Sequence, residues 1–419
     1  MNIRTATIKG VPKELRVRDA VHGVQLAVSV AEATDAADLR TRVDKVAAVA
    51  AACAAAVDSE SRFPREAIAA ARAERLLGLA VPRGLGGEGV GTADVVDVCY
   101  ALGRACASTA MIYAMHQTKV ACLVRHGRGS PWHQLLLRRL CAEQLLLASS
   151  TTEGQAGGDV RNSSAAVDGD TRITLERQAT VISYGDAADG IVTTARRSAD
   201  AASSDQVLIA LLKENYTLER LNGWDAFGMR GTCSAGFKLV ASGLREQILP
   251  VSYEKIHSHT MMPFAHLAWS GAWAGIAAAA VDRARAFVRK AAHRSSGTLP
   301  PGAAHLTRAS ASLRTLRSLI AAALHRFEAA SADAAALESI DFQTGMNMLK
   351  VNASELAVST VMSAMQACGL AGYRNDSEFS MGRHLRDILS SPIMISNDRI
   401  LANVAAASLL SGTPASLRD

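Results

Sequence analysis

Apolar residues recur along the chain with two different periods, and the change from one to the other divides it. From about Val43 to Leu147 they fall three and four residues apart, as in Val43, Val46, Ala50, Cys53 and Val57, and again in Ile68, Ala71, Leu76 and Leu77. That spacing puts them on one face of a helix. Pro64, Pro82 and the glycine-rich loop Gly84–Gly91 break the run, as such residues do. A helical stretch follows through Val95, Val96, Val98 and Leu102, and another holds Met111, Ile112, Met115 and Val120. Near Ser149 the texture changes. Residues 149–255 are rich in Thr, Val, Ser, Gly and Asp, and short runs such as RITLERQATVISY and SDQVLIALLK lie between turn residues, which predicts strands. After Ser258 helical spacing returns and holds to about residue 411, broken at Ser295–His305 and again at Leu370–Phe379. The expected organisation is an N-terminal extension (1–40), a helical domain (41–148), a β domain (149–257) and a helical bundle (258–419), with no internal repeat.

Composition narrows this further. The 419 residues are 49% hydrophobic and 20% charged, which excludes a mostly disordered chain. Alanine dominates the apolar set and aromatics are only 4%, so a mainly helical protein is favoured over a dominantly β one. The net charge of +6 is small for this length, and the arginines are scattered. No basic run interleaved with aromatics suggests a nucleic-acid groove. A basic balance helps to attract an anionic ligand, although the plain reading is a solvated Arg-rich surface. The seven cysteines include no CxxC pair and read as reduced, mostly buried thiols of a cytoplasmic protein. Residues Met261–Val281 carry no formal charge and are long enough to cross a bilayer. Their Ala and Gly content, with Pro263, His266 and Ser270 in the run, predicts a buried core helix instead. The N-terminus has no apolar stretch of the signal-peptide kind, and no metal-ligand cluster stands out.

The order helical, β, helical, together with a series of local motifs, resembles the acyl-CoA dehydrogenase family of flavoproteins from about Val43 to Leu410. FPREAIAAARAERLLGLAVPRGLGGEGV (Phe63–Val90) is similar to the family's opening helix and VP…GG.G loop, and CASTAMIYAMH (Cys106–His116) to its AST-containing helix. TTEGQAGGD (Thr151–Asp159) resembles the TEPGAGSD loop, ATVISYGDAADGIVTTAR (Ala179–Arg196) the ITNG…AD strands, and GMRGTCS (Gly228–Ser234) the GMRGS turn. QACGLAGY (Gln366–Tyr373) and RHLRD (Arg383–Asp387) resemble the Q.xGG.GY and RD motifs near the family's end. The resemblance implies FAD as cofactor. Thr152 and Ser183 would hydrogen-bond its isoalloxazine, Gly157 and Gly158 would lie in the loop that approaches it, and Asn397 takes the place of a threonine beside it. Gln366, Gly369 and Gly372 would meet the adenosine pyrophosphate across a subunit boundary, which implies a homodimer or homotetramer. Gly-rich turns with polar side chains suit such contacts, because backbone amides can come close.

The resemblance implies α,β-dehydrogenation of an acyl thioester, on coenzyme A or a carrier protein, in a specialised pathway. An electron-acceptor flavoprotein or a flavin reductase is the implied partner. That chemistry needs a carboxylate base for the α-proton, and both places where the family keeps it lack one. The EGT position after the RD motif reads Ile395-Ser396-Asn397, and the alternative on the first long helix of the last domain reads Phe264-Ala265-His266-Leu267. The RxxFG segment is HRSSG (His293–Gly297), the aromatic expected over the flavin is Val181, and a substrate-contacting serine is replaced by Gly158. Three explanations stay open, and no catalytic residue is assigned. A relocated acid, Asp398, Glu378 or Asp376, acts as base, or Asp398 merely caps a helix. The scaffold instead runs a two-component flavin monooxygenase reaction with His116 and His266 near the flavin, both of which also read as buried hydrogen-bonded histidines. Or the chain is a non-catalytic flavin-binding homologue.

Overall fold

The computed structural model describes residues 36–153 and 160–410. Helices α1 (Ala36–Ser59), α2 (Arg65–Ala73), α3 (Thr92–Ala105), α4 (Ala107–His126) and α5 (Pro131–Glu143) come first. Val43, Val46, Ala50, Cys53 and Val57 of α1 are all buried, as their spacing predicts. Local chemistry sets the ends. The Asp94 carboxylate accepts from the Gly91 amide at 3.0 Å where α3 begins, and Ser130 caps α5 ahead of Pro131. Nearly every face of α4 is buried, including Thr118, Lys119, His116 and Gln117.

Six strands follow: β1 (Leu147–Ser150), β2 (Arg172–Ile182), β3 (Gly190–Arg196), β4 (Gln206–Leu212), β5 (Tyr216–Arg220) and β6 (Ala235–Leu244). They form two three-stranded sheets, ordered β1-β3-β4 and β2-β6-β5. β1 runs parallel to β3, and all other pairings are antiparallel. Burial in β2 alternates along most of its length, whereas β4 is buried throughout. The strands of the Ala179–Arg196 motif therefore fall in different sheets, because β2 pairs with β6 and β3 with β1 and β4.

Helical structure resumes at Tyr253 with α6 (Tyr253–Ile256), one π-helical turn (His257–Met261) and α7 (Met262–Arg294). Then come α8 (Ala303–Ala330), α9 (Ala334–Glu338), α10 (Ile340–Cys368), α11 (Leu370–Tyr373), α12 (Gly382–Ile388) and α13 (Asn397–Ser408). α7 packs on α10, α8 and also α3. The α3–α7 approach requires small residues where the two helices touch. A Cβ on Gly103 would collide with the Ala272 carbonyl, and one on Gly275 with the Tyr100 carbonyl. Tyr253–Arg294 is the one helical stretch among the described residues that is long and apolar enough to cross a membrane. Of its apolar window, 89% is buried inside the molecule, which is how a core helix behaves. The described structure thus has the expected layout of helical, β and helical-bundle parts, and all seven cysteines are free.

Candidate functional site

A cavity of about 910 Å³ lies between the strand ends and the helices of both helical parts. Its polar wall comes from the ends of β1 and β2, with Ser149, Thr151, Thr152 and Ser183. The hydroxyls there have a direction. Thr232 Oγ1 donates to the Met229 carbonyl (2.8 Å), so its 2.8 Å contact with Ser234 Oγ must use Ser234's proton. Ser183 Oγ, 2.8 Å from Ser234 Oγ, is then the donor in that pair. A hydroxyl has one proton, so Ser183 offers the cavity acceptor lone pairs. Behind Thr152, the buried Glu153 carboxylate accepts from the Ser163 hydroxyl and from the Ser164 and Ala165 amides, and stands 3.3 Å from Arg177. Burial alone would raise the Glu153 carboxyl, but Arg177 and the amides hold it below the usual carboxylate range. This buried pair fixes the wall's backbone. It also explains why an arginine occupies an inward position of β2.

The opposite walls are mostly apolar. α4 presents Met115, Thr118 and Lys119, and the π-helical turn and α7 present Met261, Met262, Ala265, His266 and Trp269. A π-helical turn shifts helix phase at such sites, and here it carries Met261 onto the wall. Both family base positions reach this cavity. Ile395 lines it, and so do Ala265 and His266, which makes the missing carboxylate a feature of the site itself. The carboxylates that line it are Asp205, Glu254 and Glu338, all exposed. Asp205 pairs with Arg197, and Glu338 with His259 at 2.8 Å. No buried carboxylate lines the cavity among the described residues.

The two candidate histidines differ. His266 Nδ1 lies 2.9 Å from the Met346 carbonyl and must donate to it, which leaves Nε2 unprotonated at the cavity wall. Burial pushes its pKa down to about 3, so the ring is neutral at neutral pH. His116 has no nitrogen to spare. Its Nε2–H donates to the Leu77 carbonyl (2.9 Å), and its Nδ1 accepts from the Leu147 amide (3.0 Å). It joins α4 to β1 and does not line the cavity.

Asn397 is buried behind the wall. Its Oδ1 accepts from Lys350 Nζ at 2.7 Å, and its Nδ2 donates to Ser354 Oγ at 3.1 Å. Lys350 Nζ also donates to the Ile395 carbonyl at 2.8 Å and so holds Ile395 at φ 48°. For a β-branched residue this left-handed conformation is strained. Asp398 is exposed in the first turn of α13, whose cap is Ser396 rather than Asp398. Glu378 pairs with Lys290 and Asp376 with Arg374, both on the surface. Thr152 and Ser183 are thus brought together at the cavity. Gln366 and Gly369 lie exposed at the far end of α10 beside the buried Gly372, and none of these three lines it. Gly157 and Gly158 lie outside the described residues.

Lys119, Tyr253 and Trp269 also line the cavity, and the sequence motifs do not single them out. Lys119 does leave a signal, as the one formal charge between Arg104 and Arg125.

Comparison with known proteins sets this site in context. Residues 34–136 match the acyl-CoA dehydrogenase N-terminal domain and residues 259–410 the C-terminal domain. A cyclohex-1-ene-1-carbonyl-CoA dehydrogenase from Geobacter metallireducens is 27% identical over 84% of this chain and 92% of its own. An FMN-bound dibenzothiophene monooxygenase from Paenibacillus sp. A11-2 superposes with a TM-score of 0.75 at 17% identity, over 89% of this chain and 98% of that one. A prolyl acyl carrier protein oxidase superposes with a TM-score of 0.74 at 17% identity, over 90% and 100% of the two chains. The two solved structures, one named a monooxygenase and the other a carrier-protein oxidase, share this fold. Because both helical parts match their domains and the two-sheet segment between them completes the shared fold, the chain belongs to the acyl-CoA dehydrogenase family.

Proposed function

We propose that the cavity binds a flavin and that the chain is a flavin-dependent oxidoreductase, best suited to oxygen-dependent hydroxylation of a largely apolar small molecule. One observation carries this reading. Both positions where the family keeps its proton-abstracting carboxylate face the cavity, and they hold Ile395 and the Ala265–His266 pair. The wall fits a flavin. Ser183 offers an acceptor, Thr151 and Thr152 add hydroxyls of either polarity, and the buried Trp269 Nε1 has no partner within the described chain. A reduced flavin supplies two electrons and activates O2, so that substrate C–H, O2 and reduced flavin give C–OH, water and oxidised flavin. The protein's part is to exclude water with the methionine-rich wall and to offer a neutral hydrogen-bond acceptor, His266 Nε2, at the cavity. FAD is the proposed form, with its adenosine half at Gln366, Gly369 and Gly372 of a second copy. The exposed Leu370 and Tyr373 (70% and 75%) beside those residues fit burial in a homodimer or homotetramer.

A second reading, thioester dehydrogenation, is favoured by the 27% identical CoA-thioester relative. One experiment separates the two. The purified protein is titrated with FAD and with FMN, then assayed in two ways. Oxygen-dependent product from supplied reduced flavin, without bleaching by acyl thioesters under anaerobic conditions, is expected. Anaerobic bleaching by a thioester would overturn the hydroxylation reading, and failure to take up either flavin would overturn both.

A further inference from the structure

One polar group at this cavity remains unexplained. Lys119 is 4% exposed, lines the cavity, and forms no ion pair among the described residues. Its only hydrogen-bond partner there is the thioether of Met261, at 3.5 Å. A thioether is a weak acceptor, and a buried ammonium without a counter-charge is costly. The burial pulls its pKa down to about 8. The Tyr253 hydroxyl, equally buried, donates to the same sulfur at 3.6 Å. Donors from two parts of the chain, α4 and α6, thus share one sulfur at the cavity wall, and for Lys119 that weak acceptor is its only hydrogen-bond partner among the described residues. Methionine is unbranched and readily repacks, so the Met261 side chain can swing away and leave its place to a better acceptor.

We infer that Lys119 and Tyr253 form an anion subsite of this cavity, taken by a carboxylate or phenolate oxygen of an otherwise apolar substrate once Met261 moves aside. This names the substrate class and rests on reading the cavity as the substrate site. The ammonium supplies the counter-charge, the phenol adds a second hydrogen bond, and the methionine-lined wall takes the apolar body. Arg161 and Arg399 also line the cavity, so the test must assign the preference to Lys119 itself.

The probes are 2-naphthoate and its neutral isostere 2-naphthylmethanol, titrated calorimetrically into the full chain at pH 7, with and without added FAD. A charge-assisted hydrogen bond in a buried site is worth about tenfold or more in affinity, so naphthoate is expected to bind at least about tenfold tighter. Lys119→Met should abolish that preference and leave naphthylmethanol binding within about twofold. Tyr253→Phe should reduce the preference by about threefold. Equal binding of the two probes, binding of neither, or a preference that survives in Lys119→Met would overturn the inference. The wild-type comparison and Tyr253→Phe still decide the matter if Lys119→Met does not fold. Flavin uptake is read separately from the visible spectrum. Loss of flavin binding therefore counts against the proposed function, and loss of the naphthoate preference counts against this subsite.

Discussion

Replacing His116 with leucine distinguishes a structural pin from a catalytic group. In the structure the ring spans two buried backbone groups, the Leu77 carbonyl and the Leu147 amide. Leucine keeps most of the volume and removes both bonds. The Leu77 carbonyl retains a bond from Gln117 Nε2 at 3.2 Å, but the Leu147 amide at the start of β1 is left unpaired. An orphaned buried donor costs about 1–3 kcal/mol and the second lost bond about 1 kcal/mol, so about 2–4 kcal/mol should disappear at pH 7.5. The urea midpoint at unchanged m-value measures this. There is also a pH signature. Burial pulls His116 down from 6.5 to about 4, so at pH 5 the unfolded wild-type chain takes a proton that the folded chain refuses. That lowers wild-type stability by about 2 kcal/mol at pH 5, a loss the variant cannot share. The gap between wild type and His116→Leu should therefore shrink by about 2 kcal/mol from pH 7.5 to pH 5. A loss below about 1 kcal/mol, or a gap that does not change with pH, would refute the pin and return His116 to the list of groups free to act.

The same linkage extends to the whole chain. His126, His133, His266 and His384 are also held neutral by burial, at about 4, 4, 3 and 3. Each loses stability as pH falls from 6.5 through those values. Asp387, raised by burial to about 6, gains a proton in the folded state first and offsets only one of them. The melting temperature should fall steeply between pH 6.5 and 4.5, and a flat calorimetric profile there would contradict the burial of these rings. Asn397→Ala removes one of the two acceptors of the buried Lys350 ammonium and should cost about 2–3 kcal/mol in urea. Asn397→Asp should cost less, because it supplies a counter-charge, and the reverse order would argue against the network. Gly228→Ala forces a Cβ against the Arg386 carbonyl and disturbs the 2.7 Å bond from the Met229 amide to Asp387. A loss of several kcal/mol, or failure to fold, is expected, and a soluble variant with wild-type melting would show that this turn yields easily.

How far the sequence reveals this site depends on which interactions are local. Helix spacing, strand alternation and the order of the motifs depend on near neighbours, so the helical, β and helical-bundle layout is legible before any coordinates. Sheet membership is not, because β2 and β3 are neighbours in sequence yet pair with partners elsewhere. The histidines show the same limit at single-residue scale. His116 and His266 both sit in mostly apolar helical stretches, and only the tertiary packing decides that one is consumed by Leu77 and Leu147 while the other keeps a free nitrogen at the cavity. Ile395 and Asn397 make the point most sharply. Two residues apart in the motif that normally carries the base, they turn opposite ways, Ile395 onto the cavity wall and Asn397 into the bundle against Lys350 and Ser354. The turn between them needs Ile395 at φ 48°, a conformation that no glycine or asparagine announces. It is held by Lys350 of α10, whose Nζ grips the Ile395 carbonyl from outside the motif. The sequence therefore reports that the expected carboxylate is absent from its expected positions. Only the fold reports that the space it leaves belongs to an apolar wall with a buried lysine behind it and a second, Lys119, on the cavity surface.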